Sequence, residues 1–317
     1  MKYLDLQGYQ DTIRTSRIAM GSAMGMMRLE KEEVWRIFDR YLDLGGNCLD
    51  TARAYGDGRC EEMVGEYLRN CGKRSQIVIS TKGCHPIGGD NGPSRLSWED
   101  LDSDINASLK TLDTDCIDIY WIHKDDESVP VEQIIDNINR VIKAGKARLI
   151  GCSNWHIDRI QAANDYARRS GQQGFLASQI QWSFSSTKEE YFKEHGAVVM
   201  TDDSYNWYLE QNMPVFAFSS QASGFCAKLQ SLGFDNLPPH LKMFYGSEEN
   251  LVRYERALKV AQERNVPIAA PVVAYIANNK LPGVAIIGAT KLGQLEESMI
   301  GGNMDLTPEE ADAMYEV

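Results

Sequence analysis

The sequence predicts an α/β fold, and three observations carry the prediction. Short apolar runs alternate with longer stretches of helical period along most of the chain. The runs that open such a unit number eight, the count of a closed barrel. Asp50, Tyr55, Lys82 and His123 stand at or just past the C-terminal ends of these runs, where a barrel gathers polar groups around one pocket. Alternation implies parallel strands with helices outside them. An open doubly wound sheet shows the same alternation, so the count of eight selects a single (β/α)8 TIM-type barrel over residues 1–317. Its long loops are expected at the C-terminal face of the strands.

The first barrel strand is Ile18–Gly21. A helix over 31–44 sets Val34, Ile37, Phe38, Tyr41 and Leu42 on one face, and Gly45-Gly46 stops it. A strand over 47–50 leads to a helix over 61–70 carrying Met63, Val64, Tyr67 and Leu68. The strand over 76–81 precedes a helix over 97–112, with Ser97 as its N-cap and Glu99 and Asp100 in its first turn. The strand Ile117–Ile122 precedes a helix over Val131–Lys143, and Ile134, Ile135, Ile138 and Val141 share a face. A strand over 147–151 and a helix over 157–169 follow, then strands over 175–181 and 214–219. Helices over 248–264 and 268–278, a strand over 284–288 and a helix over 293–299 complete the pattern. Two connections are long, 183–212 and 225–246. The first reads as a functional loop or small added helix, and its Asp202-Asp203 as solvated charge.

The chain has 33 Lys and Arg against 45 Asp and Glu, a net charge of −12, which argues against a nucleic-acid partner. An anionic ligand would need its own local basic or backbone-amide site. The seven cysteines are widely spaced, with no CxxC, so neither a disulfide framework nor a zinc site is expected. The opening Met1-Lys2-Tyr3-Leu4-Asp5 has no apolar leader, and no run of 18 apolar residues occurs. The expectation is a cytoplasmic protein without membrane association; oligomeric state is unreadable.

The four polar residues make chemical sense together. An unperturbed phenol titrates near ~10, and a neighbouring ammonium favours its ionised form and draws its pKa towards neutrality. Asp50 would hold the charge on a buried Lys82. Donors aimed at a carbonyl oxygen stabilise the alkoxide that develops there. A tyrosine flanked by a lysine and a histidine is thus a proton donor suited to a carbonyl.

The block GGNCLDTARAYGDGRCEEMVGEYL, together with STKG at Lys82, IYWIH at His123 and Gly151-Cys152-Ser153-Asn154, resembles the aldo-keto reductases. The resemblance runs in order from Ile18 through Ser298. It implies a barrel that binds a nicotinamide dinucleotide, NADP with NAD as the second option, without a Rossmann fold; no GxGxxG stands at a strand-to-helix turn. It implies hydride transfer to an aldehyde or ketone with Tyr55 as general acid, Lys82 lowering its pKa, Asp50 pairing with Lys82, and His123 orienting the carbonyl. Gly21, Ser22 and Asp50 would line the cofactor site. Ser153, Asn154 and Gln179 would meet the carboxamide, and Phe218, where tyrosine is usual, would stack on the ring. Ser219, Ser220 and Gln221 match the pyrophosphate loop. Gly288, Thr290, Lys291, Gln294, Glu297 and Ser298 match the adenosine segment, with Lys291 standing in for an absent arginine at the 2′-phosphate.

The substrate is a small-molecule carbonyl or alcohol, contacted by Tyr55, His123 and Trp182, with Trp155 as wall filler. Met24, Met26 and Met27 would form an adaptable apolar wall. Lys124, Asp125, Asp126, Tyr205, Trp207 and Tyr208 would suit a sugar-derived carbonyl. Asp125 and Asp126 read more simply as a cap for the helix at Val131 than as metal ligands with His123, and His85 as a loop histidine. Cys84 and Cys152 read as buried small hydrophobes. The alternative function is a nucleotide-binding, redox-sensing or regulatory subunit with slow turnover.

Overall fold

The computed structural model describes residues 1–23, 25–90, 92–193 and 196–316. An antiparallel hairpin comes first, β1 (Tyr3–Gln7) and β2 (Thr12–Ser16), paired through Leu6 opposite Ile13. Eight parallel strands follow: β3 (Ile18–Gly21), β4 (Cys48–Asp50), β5 (Val78–Gly83), β6 (Ile117–Ile122), β7 (Ala147–Ser153), β8 (Ser178–Gln181), β9 (Val215–Phe218) and β10 (Gly283–Ile287). Each pairs with its neighbour in sequence, and β10 pairs with β3, closing a (β/α)8 TIM barrel.

Two apolar layers hold the barrel, and strand parity sorts residues between them. Ile79, Tyr120, Ile150, Ile180 and Val215 face the helices. Ala19, Cys48, Val78, Ile119, Trp121, Leu149, Ala177, Phe216 and Val284 fill the interior. The hairpin adds Leu6 and Ile13, each 1% exposed, to that inner cluster, and Tyr9 donates its backbone N–H to Arg148 O. The hairpin therefore seals the N-terminal end of the barrel, opposite the mouth. The sequence reading did not foresee it.

Parity also decides what reaches the mouth. Two residues beyond each inward position come Asp50 after Cys48, Ser153 after Gly151, Gln179 after Ala177 and Phe218 after Phe216; Lys82 and His123 continue the inward sides of β5 and β6. The chain thus keeps its interior apolar at depth and polar at the C-terminal rim.

Expected helices fall close to their places: Lys31–Asp43, Arg59–Asn70, Trp98–Leu112, Val131–Lys143, Ile157–Ser170, Glu248–Glu263, Ala269–Ala277 and Leu292–Gly301. Gly45, at φ +89, ends the first of these, and the Tyr41 ring lies where a Cβ on Gly46 would stand. Ser97 Oγ accepts from the backbone N–H of Asp100, as an N-cap should. The helix over Asp202–Glu210 is the small added helix allowed for in 183–212, whereas helices over Phe225–Leu232, Pro239–Tyr245 and Pro308–Tyr315 were not specified by sequence. The first carries a capping box between Thr201 and Ser204, so Asp202 and Asp203 occupy a helix's first turn, where they complement its dipole. They are more than solvated charge. The N-cap of Val131–Lys143 is Pro130, not Asp125 or Asp126. Asp125 is instead held bidentate by Arg159 at 2.8 and 2.9 Å, and Asp126 accepts from Ser128. No helix among the described residues is long and apolar enough to cross a membrane.

Candidate active site

Three strand ends bring Asp50, Lys82 and His123 together, and the loop after β4 adds Tyr55. Lys82 Nζ donates to Asp50 Oδ2 at 2.6 Å and to Thr51 O at 2.8 Å; the two side chains are 1% and 4% exposed. Asp50 Oδ1 accepts from Ser80 Oγ at 2.7 Å and Gln179 Nε2 at 3.2 Å, and Ser80 in turn accepts from Trp121 Nε1 at 2.8 Å. In a buried pair this fully hydrogen-bonded, the partners offset each other's loss of water. Burial works against the Lys82 ammonium, but Asp50 and Tyr55 outweigh it and its pKa is raised.

Tyr55 is half-buried at the mouth, its ring centroid 5.0 Å from Lys82 Nζ. Its placement depends on Gly58, at φ +91, which starts the next helix and leaves room for the Arg53 guanidinium. Arg53 bonds Glu61 at 2.9 Å, and Glu61 also accepts from Thr81, one residue before Lys82. The Tyr55 loop is thereby tied to β5. Burial of the phenol pushes its pKa up; Lys82 pulls it down without prevailing, and Asp50 adds to the rise. The expected lowering by Lys82 is present, but the net shift is upward, so the group keeps its proton at neutral pH.

On the other side of Tyr55 stands His123, 7% exposed, its ring 5.8 Å from the Tyr55 ring and edge-on at 77°. Burial, then Lys82, His85 and Lys124, hold its pKa well below the usual histidine value, so it is neutral. Its Nδ1 is buried with no partner.

A cavity of about 700 Å³ runs from these residues across the mouth, within the size range of ligand sites. Of the sequence-expected residues, it is lined by Gly21, Asp50, Tyr55, His123, Ser153, Asn154, Gln179, Phe218, Ser219, Ser220, Gln221, Gly288, Thr290, Gln294, Glu297 and Ser298. Gly288 has open space where a Cβ would stand, leaving backbone accessible there. At the far arm, Gln221 donates to the Ser298 hydroxyl, and Ser298 donates to the Gln294 carbonyl one turn earlier in the helix. Thr290 donates to the Gln294 side chain. The N-terminal end of Leu292–Gly301 and Gly224, the N-cap of Phe225–Leu232, both border this arm. Helix N-termini favour anions, and Lys228 on the second helix adds a cation. Lys228 and these helix ends give this arm a local positive character on a chain of charge −12.

Some expected contacts stand outside this cavity, and other residues stand where they were expected. Trp182 is 3% exposed and packs edge-on against Tyr205 and Tyr275, outside the cavity lining. On β8, inward positions are Ala177, Gln179 and Gln181, so residue 182 falls on the helix-facing parity. Tyr205, Trp207 and Tyr208 lie on the helix Asp202–Glu210; Tyr208 bonds Ser178 at the opposite end of β8, and none lines the cavity. Trp155 is buried against Phe175. Ser22 is fully buried behind the lining with an unpartnered Oγ, and Lys291 is exposed and outside it. Met26 lines the cavity, whereas Met24 lies outside the described residues. Cys84 and Cys152 are buried, and burial pushes both thiols up. Among the described residues no cluster suited to a metal ion occurs.

Sequence reasoning underweighted His85 and missed Lys228. His85 lines the cavity, 4.7 Å from His123 ring to ring. Cys84, at φ +63 with its N–H on Asp104, turns the chain so that His85 returns over the mouth. Nothing in the local residue pattern encodes that turn, since a left-handed cysteine is unusual.

The aldo/keto reductase family model matches residues 17–317. The chain is 29% identical over 315 residues to an aryl-alcohol dehydrogenase of Pestalotiopsis microspora, covering 94% of this chain and 78% of that protein. It is also 29% identical over 322 residues to a probable voltage-gated potassium channel subunit beta of Oryza sativa subsp. japonica, covering 96% and 93%. An aldo/keto reductase structure from Klebsiella pneumoniae, in complex with NADP and acetate, superposes with a TM-score of 0.72 at 21% identity, covering 98% and 95%. This chain belongs to the aldo/keto reductase family of NAD(P)-dependent oxidoreductases.

Proposed function

We propose that the protein reduces a small polar aldehyde or ketone with NADPH, Tyr55 donating the proton. The observation that carries this reading is a protonated phenol held between a charged Lys82–Asp50 pair and a neutral His123, at one end of a long cavity. Ser153, Asn154 and Gln179 would hold a carboxamide beside Phe218. Ser219, Ser220, Gln221, Gly288, Thr290, Gln294, Glu297 and Ser298, with Lys228, would hold the phosphates and adenosine. The bound dinucleotide supplies the hydride.

The chain's own groups supply the rest. As negative charge develops on the carbonyl oxygen, the Tyr55 hydroxyl donates its proton to it. Lys82 stabilises the tyrosinate that remains, and Asp50 keeps the ammonium charged in its buried position. Neutral His123 offers a ring N–H to the same oxygen without adding a cation that would compete with Lys82. In the reverse direction the same groups remove a proton from an alcohol.

The substrate reading follows from the residues beyond Tyr55. His85, Asp90 and Lys124 border the cavity there, and an adjoining one of about 490 Å³ is lined by Arg53, Asp57, Arg95 and Asp104. Such a surface suits a hydroxylated carbonyl better than an aromatic one. The test is a fluorescence titration with NADPH and NADH, followed by turnover on hydroxylated aldehydes, ketones and aryl aldehydes. NADPH binding with faster turnover of the hydroxylated set supports the reading. Faster aryl turnover overturns the substrate class. Binding without turnover favours the regulatory alternative, towards which the rice relative points. No binding overturns the reading altogether.

A further inference from the structure

His123 faces the mouth with little to fix its ring. Its main chain is secured, since its N–H donates to Gly83 O at 2.9 Å and its carbonyl accepts from Asn154 Nδ2 at 3.4 Å. The side chain has no such anchor: Nδ1 is buried without a hydrogen-bond partner. Two other rings pack on the imidazole, Tyr55 at 5.8 Å and 77°, and His85 at 4.7 Å and 67°. Tyr55 sits on a loop. The nearer ring is His85.

His85 itself is hydrogen-bonded at one nitrogen and lies against a carboxylate at the other. Nδ1 lies 2.9 Å from Pro86 O, and because a carbonyl only accepts, this nitrogen carries the proton. Nε2 lies 3.3 Å from Asp90 Oδ1, and Lys124 Nζ lies 3.0 Å from that same oxygen. Lys124 also donates to Gly196 O at 2.7 Å, so the loop after β5, the end of β6 and the loop after β8 meet at this point. A ring bonded at one edge and flanked by a carboxylate at the other is restricted in orientation. Edge-to-face packing then passes that restriction to its neighbour.

We propose that His85 is a positioning residue of the active site: its ring, pinned by Pro86 and Asp90, fixes the orientation of the His123 imidazole. His85 need not touch substrate to do this. Asp90 acts one step further back, by holding His85. The carbonyl-directed role of His123 belongs to the proposed function, whereas the contact between the two rings can be tested without it.

The experiment compares wild type with His85→Ala, His85→Phe and Asp90→Asn. The first readout is the histidine ring spectrum by NMR, tractable because the chain has five histidines. His123, assigned by His123→Gln, should give one sharp Cε1–H signal in wild type, a broadened or doubled one in His85→Ala, and a less broadened one in His85→Phe. Asp90→Asn should fall between. The second readout is turnover with NADPH affinity measured alongside. His85→Ala should lose about tenfold in kcat/KM, about 1.4 kcal/mol, with NADPH affinity within twofold of wild type. His85→Phe, which keeps a ring but loses the Pro86 hydrogen bond and the Asp90 contact, should recover part of that loss. An unchanged His123 signal in His85→Ala overturns the proposal, whether or not the protein turns over. So does a His85→Phe variant as impaired as His85→Ala. Wild type without turnover on any carbonyl overturns the proposed function instead, and the NMR comparison still decides the role of His85.

Discussion

The two flanks of Tyr55 are built on opposite plans. On the Lys82 side, Lys82 and Asp50 are bonded to each other and to Thr51, Ser80 and Gln179, all at the end of an apolar interior. On the His123 side the ring is neutral, Nδ1 has no partner, and orientation comes from ring packing. On the proposed mechanism, one flank would store a charge where no rearrangement is needed during reaction, and the other would supply a neutral ring to an incoming oxygen. If the proposed mechanism holds, the contrast explains why the same barrel rim carries both a salt bridge and a histidine kept from ionising.

Removing the charge should have the largest effect. Lys82→Met strands Asp50 as a buried, unpaired carboxylate, which costs about 3–5 kcal/mol of stability. Turnover should fall by about 10³-fold, since the tyrosinate loses its counter-charge. Chemical denaturation and kcat together check this, and a mild loss in both would mean that the pair has no bearing on Tyr55.

The neutral flank predicts a pH effect of defined sign. The folded-state pKa of His123 lies well below its ordinary value of 6.5, so the unfolded chain binds more protons as pH falls. The contribution is complete above 6.5 and is lost as pH drops from there towards the folded pKa. The slope reaches at most about 1.4 kcal/mol per pH unit. Denaturation midpoints of wild type and His123→Gln between about pH 5 and 7.5 should diverge in that direction. Parallel curves would show that His123 is not held neutral.

At the far arm, Lys228→Ala should weaken NADPH binding by about tenfold, or about 1.4 kcal/mol, with the loss shrinking at high salt. Lys291→Ala should do less, because that side chain is exposed and outside the cavity. The reverse ranking, measured by fluorescence titration, would restore Lys291 to the phosphate site. The smallest functional effect belongs to Trp182→Phe, which should leave the KM for the carbonyl within twofold while lowering stability, since the ring is core. A changed KM would place Trp182 back in the substrate site.

The same contrast separates what could be read in the sequence from what could not. Strand ends and helix faces were legible because their periods are local, and Asp50, Lys82 and His123 came with them. Parity along β8 was equally local, and applying it to Trp182 would have turned that residue outward. The N-terminal hairpin also had a readable alternation in Leu4, Leu6 and Ile13, obscured by the charged residues between them. The Asp202–Glu210 helix announced itself only through the Thr201–Ser204 capping box. His85 and Lys228 were of another kind. Cys84 and the stretch at Ala222, Ser223 and Gly224 adopt left-handed backbone, and three of these four are not glycine. Where such turns occur is set by what the folded surroundings satisfy, so the loops over the mouth escape a reading by pattern.

The most direct test of the account is Tyr55→Phe, measured for NADPH binding and carbonyl turnover in one preparation. Binding within a few-fold of wild type, with turnover down by about 10²–10⁴-fold, is the expected result. Turnover close to wild type would remove Tyr55 as the proton donor and, with it, the meaning given to its two flanks.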